Sequence, residues 1–439
     1  MTASDTIVAL RAPRDETRMT QGQIIAVLLA VLIAGLDGYD VQSMSFVAPV
    51  IGKAWHVDKA VLGLALGSSL FGMAGGSLLL SPFADLFGRR PMVLAGLMLV
   101  TLGALLSGLS QTVGELAASR AVTGLGIGVI ITLTTALAAE FATPRRRALA
   151  VAATTVTLAL GGVVGGLTAA AILRSHSWTW VFGCGAVAGA VLLIAAWAGL
   201  PETPSFLIDR QPKEALRRLN RALSQLGLAP AASLPVKSQA KRASYRALFA
   251  PGTVGSTIRF AVVYMLITTA AYYMISWLPQ LVADAGFKPS TGGLVSAASS
   301  LVGIASGLIF GALAARIGPM RLASVAMVGF GLALACLGYA PATLPMLILA
   351  ASACGFFLSA STAVFYATMT ETFPPLMRVS GIGLVLGFGR LLSGFGPIVA
   401  GAMFAAGLTR SGVSLVFAGA AVAGGLLLML GARKPAPPA

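Results

Sequence analysis

Charged side chains are scarce in this chain, and acidic ones scarcer still: its 439 residues hold 30 lysines and arginines but only 14 aspartates and glutamates. Beside 57% hydrophobic residues, a charged share of 10% is too small to cover a soluble domain, so most of the chain must take lipid as its solvent. Histidine occurs only as His56 and His176, both between apolar runs, which excludes a histidine proton relay inside the membrane. Cys184, Cys336 and Cys354 sit inside apolar runs without metal-ligand spacing; they read as packing residues, and neither a metal nor a cofactor is expected. No G-K-S/T phosphate loop and no H-E-x-x-H occur, which argues against an ATP-driven pump or a zinc protease. No nucleophile is paired with a base in the apolar runs, so no enzyme is expected. The net charge of +16 would suggest nucleic acid in a soluble protein, but here the basic residues fall between apolar runs, and no nucleic-acid partner is expected.

What the chain has is apolar length. A bilayer core needs about 20 mostly apolar residues per helix. Runs of that size occupy 23–50, 60–84, 91–110, 114–141, 147–172, 178–200, 257–284, 291–315, 319–339, 344–371, 379–407 and 411–432. The expected fold is therefore an all-α membrane protein with twelve transmembrane helices in two pseudo-symmetric six-helix bundles. Residues 23–200 and 257–432 form the bundles, 201–256 a linker, and 1–22 and 433–439 polar tails. The first apolar run follows a polar stretch and ends without a small-residue cleavage site, so no cleaved signal peptide is expected. Lysine and arginine concentrate in alternate loops, the opposite loops holding only Lys53, Lys59, Arg174, Lys288 and Arg410. That bias assigns both termini and the linker to the cytoplasm of a bacterial inner membrane, and a monomer is expected. In the linker, Leu216, Leu219, Leu223 and Leu226 recur at helical spacing beside Arg217, Arg218 and Arg221, as in an amphipathic helix lying on the membrane or a solvated linker helix.

The halves carry a faint repeat. Glu140-Phe-Ala-Thr-Pro-Arg-Arg-Arg147 recurs in outline as Glu371-Thr-Phe-Pro-Pro-Leu-Met-Arg378, and Gly88 falls opposite Gly318, which together argue for duplicated six-helix halves.

A charge at the centre of a membrane helix costs about 2.5 to 3.5 kcal/mol on insertion scales, so buried charges single themselves out. Asp37 and Asp40 of Leu36-Asp-Gly-Tyr-Asp40 stand three residues apart on one face of the first span. Two adjacent carboxylates in low dielectric resist ionising together, which suits a proton-coupling site; the alternative is that one aspartate only pairs with an arginine or caps a break at Gly38. Arg120 in span four, ahead of Gly124 and Gly126, is expected to pair with an aspartate of span one. Arg390 in span eleven, among Gly383, Gly387, Gly389, Gly394 and Gly396, is a candidate for a substrate carboxylate or for a structural ion pair. Positions about 230 residues away from these four carry no charge, so they are expected to serve transport rather than the fold. Aromatic residues gather in spans seven and ten, and Tyr39, Tyr273 and Tyr366 are the candidates for contact with an aromatic ring. Glu140 and Glu371 are expected to act in a cytoplasmic gate or in assembly.

These residues resemble the Major Facilitator Superfamily, and within it the aromatic acid:proton symporters, over nearly the whole chain. The resemblance rests on Asp85-Leu-Phe-Gly-Arg89-Arg90 after span two, Arg120-Ala-Val-Thr-Gly-Leu-Gly126 in span four, and Pro201-Glu202-Thr-Pro-Ser-Phe-Leu207 after span six. The narrower likeness rests on Leu36-Asp-Gly-Tyr-Asp40, Ser276-Trp-Leu-Pro-Gln-Leu-Val-Ala-Asp-Ala-Gly286, Arg378-Val-Ser-Gly-Ile-Gly383 and Gly389-Arg390. It implies import of a benzoate-like or hydroxybenzoate-like anion with protons, by alternating access of two bundles around a central site. The family's aspartates and span-eleven arginines then map onto Asp37, Asp40, Arg378 and Arg390. Asp85, Arg89, Glu140 and Arg147 would form a charge lock, although Leu86 stands where the motif usually has a basic residue. Another porter of this superfamily, carrying a different organic anion, a sugar or a drug and possibly exporting it, remains an alternative, as does a membrane receptor that binds the acid without moving it.

Overall fold

The computed structural model describes residues 18–235, 253–373 and 378–430, with the side chains of all but Ala315, Arg378, Val379 and Ser380. Among them, twelve helices are long and apolar enough to cross a bilayer: Gln21–Ala54, Lys59–Phe87, Arg89–Leu109, Val113–Phe141, Pro144–Ile172, Thr179–Gly199, Val254–Asp284, Pro289–Ala314, Pro319–Tyr339, Leu344–Thr372, Gly381–Ala405 and Arg410–Leu430. They are spans one to twelve below.

Small residues let these helices approach closely enough to fix their register. A Cβ at Gly38 would overlap the carbonyl of Leu158 in span five, and one at Gly124 the carbonyl of Ser69 in span two. Backbones in such contact leave no room for side-chain drift, which matters because Gly38 lies beside Asp37 and Gly124 one turn beyond Arg120. The glycine run of span four is thus a packing surface. Span two departs from α geometry through a π turn at Gly76–Leu80 and a 3₁₀ turn at Ser81–Phe83, where Pro82 cannot supply a backbone donor. The paired glycines of the repeat share one backbone shape: Gly88 has φ 109° and Gly318 φ 93°, each reversing the chain between two spans.

The amphipathic segment of the linker forms a helix at Ala215–Gln225, and its apolar face is turned onto protein. Leu219, Ala222 and Leu223 pack with Leu207 and Ile208 of the short helix Pro204–Arg210 in a small separate core. The Thr20 hydroxyl donates to the carbonyl of Leu226, and Gly22 lies against the backbone of Gln225, so this unit is seated on the start of span one. The lipid-lying alternative is corrected accordingly: the hydrophobic area is covered by neighbouring helices. The tails 1–17 and 431–439 and the linker stretch 236–252 fall outside the described residues.

Among the described residues, the two halves share their main core at one end. Met44, Phe46, Val47, Ile51 and Leu62 of the first half join Tyr273, Trp277, Leu281 and Val282 of the second in one hydrophobic cluster at the end opposite the linker. There Gly166 packs against Gly293, Gly63 against the carbonyl of Pro397, and Lys59 Nζ lies 2.6 Å from Asp284 Oδ2. The other major cluster, from Ala26 and Leu29 through Leu137 and Phe141, draws on the second half only through Tyr272. Among the described residues the halves are therefore packed together chiefly at the far end and share less toward the linker, where Leu78 still meets Gly387 across the cleft between them.

Candidate functional site

Span one brings its two aspartates to the level where the halves separate, and gives them different surroundings. Asp40, 1% exposed, is held by Arg120, which is fully buried. The guanidinium donates from Nη1 to Asp40 Oδ1 at 3.0 Å and from Nη2 to Oδ2 at 2.8 Å, and Nη2 also reaches the Asp40 carbonyl at 2.8 Å. The Phe182 ring lies 5.5 Å from the Arg120 Cζ. A bidentate pair of this kind fixes both charges and leaves neither carboxylate oxygen free.

Asp37 is as deeply buried, at 3% exposure, yet both of its carboxylate oxygens lack a hydrogen-bond partner among the described residues. The cation that acts on it electrostatically is Arg390, across the cleft in span eleven. The two interact electrostatically but are not closed into an ion pair, and the half-buried Arg390 guanidinium makes no hydrogen bond to a described residue. A guanidinium and a carboxyl group thus stand on either side of the cleft, one from each half, both with unfilled hydrogen-bonding capacity. That arrangement can hold a carboxylate on Arg390 and a proton on Asp37 at once.

Three tyrosines lie within electrostatic reach of Arg390: Tyr264 and Tyr272 of span seven and Tyr366 of span ten. Tyr366 is among the residues expected from the sequence; Tyr264 and Tyr272 are not. The other two expected tyrosines point elsewhere. Tyr39 donates its hydroxyl to the Val181 carbonyl at 2.7 Å inside the first half. Tyr273 shares a hydrogen bond with Ser414 at 2.8 Å and stacks on Phe417 at 4.3 Å, toward span twelve. Helical geometry holds the missed signal: at 3.6 residues per turn Tyr272 stands about 80° round span seven from Tyr264, and Tyr273 about 180°.

At the linker end, Glu140 accepts from the Arg89 guanidinium, from the Ser205 hydroxyl and from the Ser205 backbone N–H at 3.1 Å. Glu202 accepts from the backbone N–H groups of Arg89 at 2.9 Å and Arg90 at 3.2 Å, capping span three. Burial pushes the Glu202 carboxyl above its ordinary value, while the backbone donors of Thr203, Arg90 and Arg89 pull it back. Sequence reasoning placed Glu202 in a motif without giving it this role. Arg147 donates from Nε to the Ala139 carbonyl at 3.2 Å, and Asp85 is half-buried before the Gly88 turn. These contacts join spans three to five and the linker within the first half. Glu371, the counterpart of Glu140, is exposed at the end of span ten, and the side chain of Arg378 lies outside the described residues.

Comparison with known proteins follows the same lines. The model of the Major Facilitator Superfamily matches residues 30–288 and 260–439. The chain is 28% identical over 399 residues to a gallate transporter of Pseudomonas putida, covering 90% of this chain and 88% of that protein. It is 29% identical over 417 residues to the 3-(3-hydroxy-phenyl)propionate transporter of Escherichia coli K12, covering 94% of each. It is 27% identical over 377 residues to the 4-hydroxybenzoate transporter PcaK of Pseudomonas aeruginosa, covering 85% of this chain and 83% of that one. Among solved structures, a D-xylose-proton symporter superposes with a TM-score of 0.72 at 17% identity, over 92% of this chain and 97% of that one. The inward-open xylose transporter XylE of Escherichia coli gives 0.71 at 17% identity, over 92% and 94%. At that identity the likeness speaks for the fold alone, and the fold and the relatives are those of transporters, not enzymes. With matching family segments over nearly all of its length and twelve spans in two halves, the chain belongs to the Major Facilitator Superfamily.

Proposed function

We propose that this chain imports an aromatic carboxylate of the benzoate or hydroxybenzoate kind together with a proton, by alternating access across a bacterial inner membrane. Asp37 takes the proton and Arg390 the carboxylate. The observation that carries this reading is the contrast on span one: Asp40 has its charge and hydrogen bonds met by Arg120, whereas Asp37 is buried with neither oxygen bonded and faces an unbonded guanidinium in the other half. With a proton on Asp37 and an anion on Arg390, the cleft holds no uncompensated charge, and the halves rock without carrying a net charge through hydrocarbon. The distribution of lysine and arginine supports a cytoplasmic linker, so the end at which the halves share less faces inward. Three relatives are named as carriers of gallate, 4-hydroxybenzoate and a hydroxyphenylpropionate, which supports the substrate class.

The test is uptake into proteoliposomes of labelled benzoate, 4-hydroxybenzoate, an aliphatic monocarboxylate and xylose, with and without an inward-directed proton gradient. Gradient-driven accumulation confined to the aromatic acids is expected. Equal accumulation of the aliphatic acid or xylose, or binding without accumulation, sinks the reading.

A further inference from the structure

Arg390 alone cannot satisfy a buried carboxylate. Its planar fork meets two of about four lone-pair directions, and the others need donors if the anion is to leave water without a penalty. Three phenols act on this guanidinium electrostatically, those of Tyr264, Tyr366 and Tyr272. The Cδ1 edge of the Tyr264 ring lies against Gly389, where a Cβ would overlap it, so that glycine lets the ring come beside the backbone of the residue preceding Arg390. The same ring stacks on Phe365 at 5.8 Å with planes 7° apart, and the next residue, Tyr366, brings its hydroxyl to 3.5 Å from that of Tyr264. A hydroxyl pair at that separation is at the outer limit of a hydrogen bond, so at most one of the two O–H donors is engaged, and weakly. Tyr272 packs against the hydrophobic core of the first half and makes no hydrogen bond to a described residue. It also lies within electrostatic reach of Asp37 as well as of Arg390.

We infer that Tyr264, Tyr272 and Tyr366 form a neutral cradle that donates hydroxyl protons to the substrate carboxylate seated on Arg390, completing its hydrogen bonds without adding charge. This rests on the function proposed above and deepens it. The choice of phenols over a second arginine or lysine follows from charge: Arg390 and one carboxylate already cancel, and another cation in the cleft would have to be carried through the cycle uncompensated. The cradle therefore reads the carboxylate, common to every aromatic acid, and leaves the ring and its substituents to other surfaces.

Tyr→Phe substitution keeps each ring and its stacking and removes only the donor. In proteoliposomes, Tyr264→Phe, Tyr272→Phe and Tyr366→Phe should each raise the KM about tenfold, the effect of losing a hydrogen bond to a charged group. The factor should be the same for benzoate and for 4-hydroxybenzoate, with maximal rate and thermal unfolding temperature unchanged. A KM change confined to 4-hydroxybenzoate would overturn the inference, since the phenols would then read the ring hydroxyl. So would an unchanged KM in all three variants. If the unsubstituted protein moves no aromatic carboxylate in the same vesicles, the function itself fails first, before any variant is compared.

Discussion

Asp37 and Asp40 share one helix, one face and nearly the same burial, and differ in what meets them from outside that helix. Asp40 receives three hydrogen bonds from Arg120 of span four, a helix of the same half whose position against spans two and three is fixed by glycine contacts. Asp37 looks across to Arg390, carried by the other half, and no ion pair is closed between them. A charge pair inside one rigid half can persist through every conformation, whereas a pair that straddles the halves must be remade as they move. The first is suited to the scaffold and the second to the cycle. To the expectation that all four charges serve transport the structure adds only a placement: Asp40 and Arg120 pair within one half, whereas Asp37 and Arg390 lie in different halves.

The comparison breaks most forcefully at Arg120. Arg120→Ala leaves Asp40 buried without its partner, which should cost about 3 to 5 kcal/mol and largely abolish folded protein. Yield and thermal unfolding in detergent read this, and the double change Asp40→Asn with Arg120→Gln should recover much of the loss. A smaller effect is expected at the straddling site. Arg390→Lys keeps the charge but loses the planar fork, and should raise the substrate KM at least about tenfold, or about 1.4 kcal/mol, without lowering the unfolding temperature. The smallest effect is expected at the far end, where Lys59 and Asp284 pair between the halves with both side chains more than a third exposed. Lys59→Ala should loosen the joined far end by about 0.2 to 1 kcal/mol, seen as raised accessibility of cysteines placed at that end. A collapse of stability there, larger than at Arg120, would invert the comparison.

Much of this was legible in residue order, because the physics of crossing a bilayer is written in run length. Each expected span lies within a few residues of a helix, and the helix ends at Gly88 and Gly318 follow from residues that accept positive φ. Arg120 was readable as a partner for span one, since a buried arginine has few alternatives. What escaped was angular. Tyr272 and Tyr273 are neighbours in sequence, but one turns to Arg390 and the other to Ser414 in span twelve, and only the rotation of span seven within the bundle decides which. Tyr39 escaped for a related reason: its ring fits against Gly165 and Gly185, and its hydroxyl finds the Val181 carbonyl, none of which is near in sequence. The linker helix was visible as an amphipathic pattern, but its partner face, built from Leu207 and Ile208, is a tertiary fact.

The division between the two aspartates is tested most directly by proton movement on substrate addition. In lightly buffered proteoliposomes, the unsubstituted protein should take up protons with an aromatic carboxylate, and Asp37→Asn should exchange labelled for unlabelled substrate while moving no protons. Proton uptake by Asp37→Asn at the unsubstituted ratio would contradict the account.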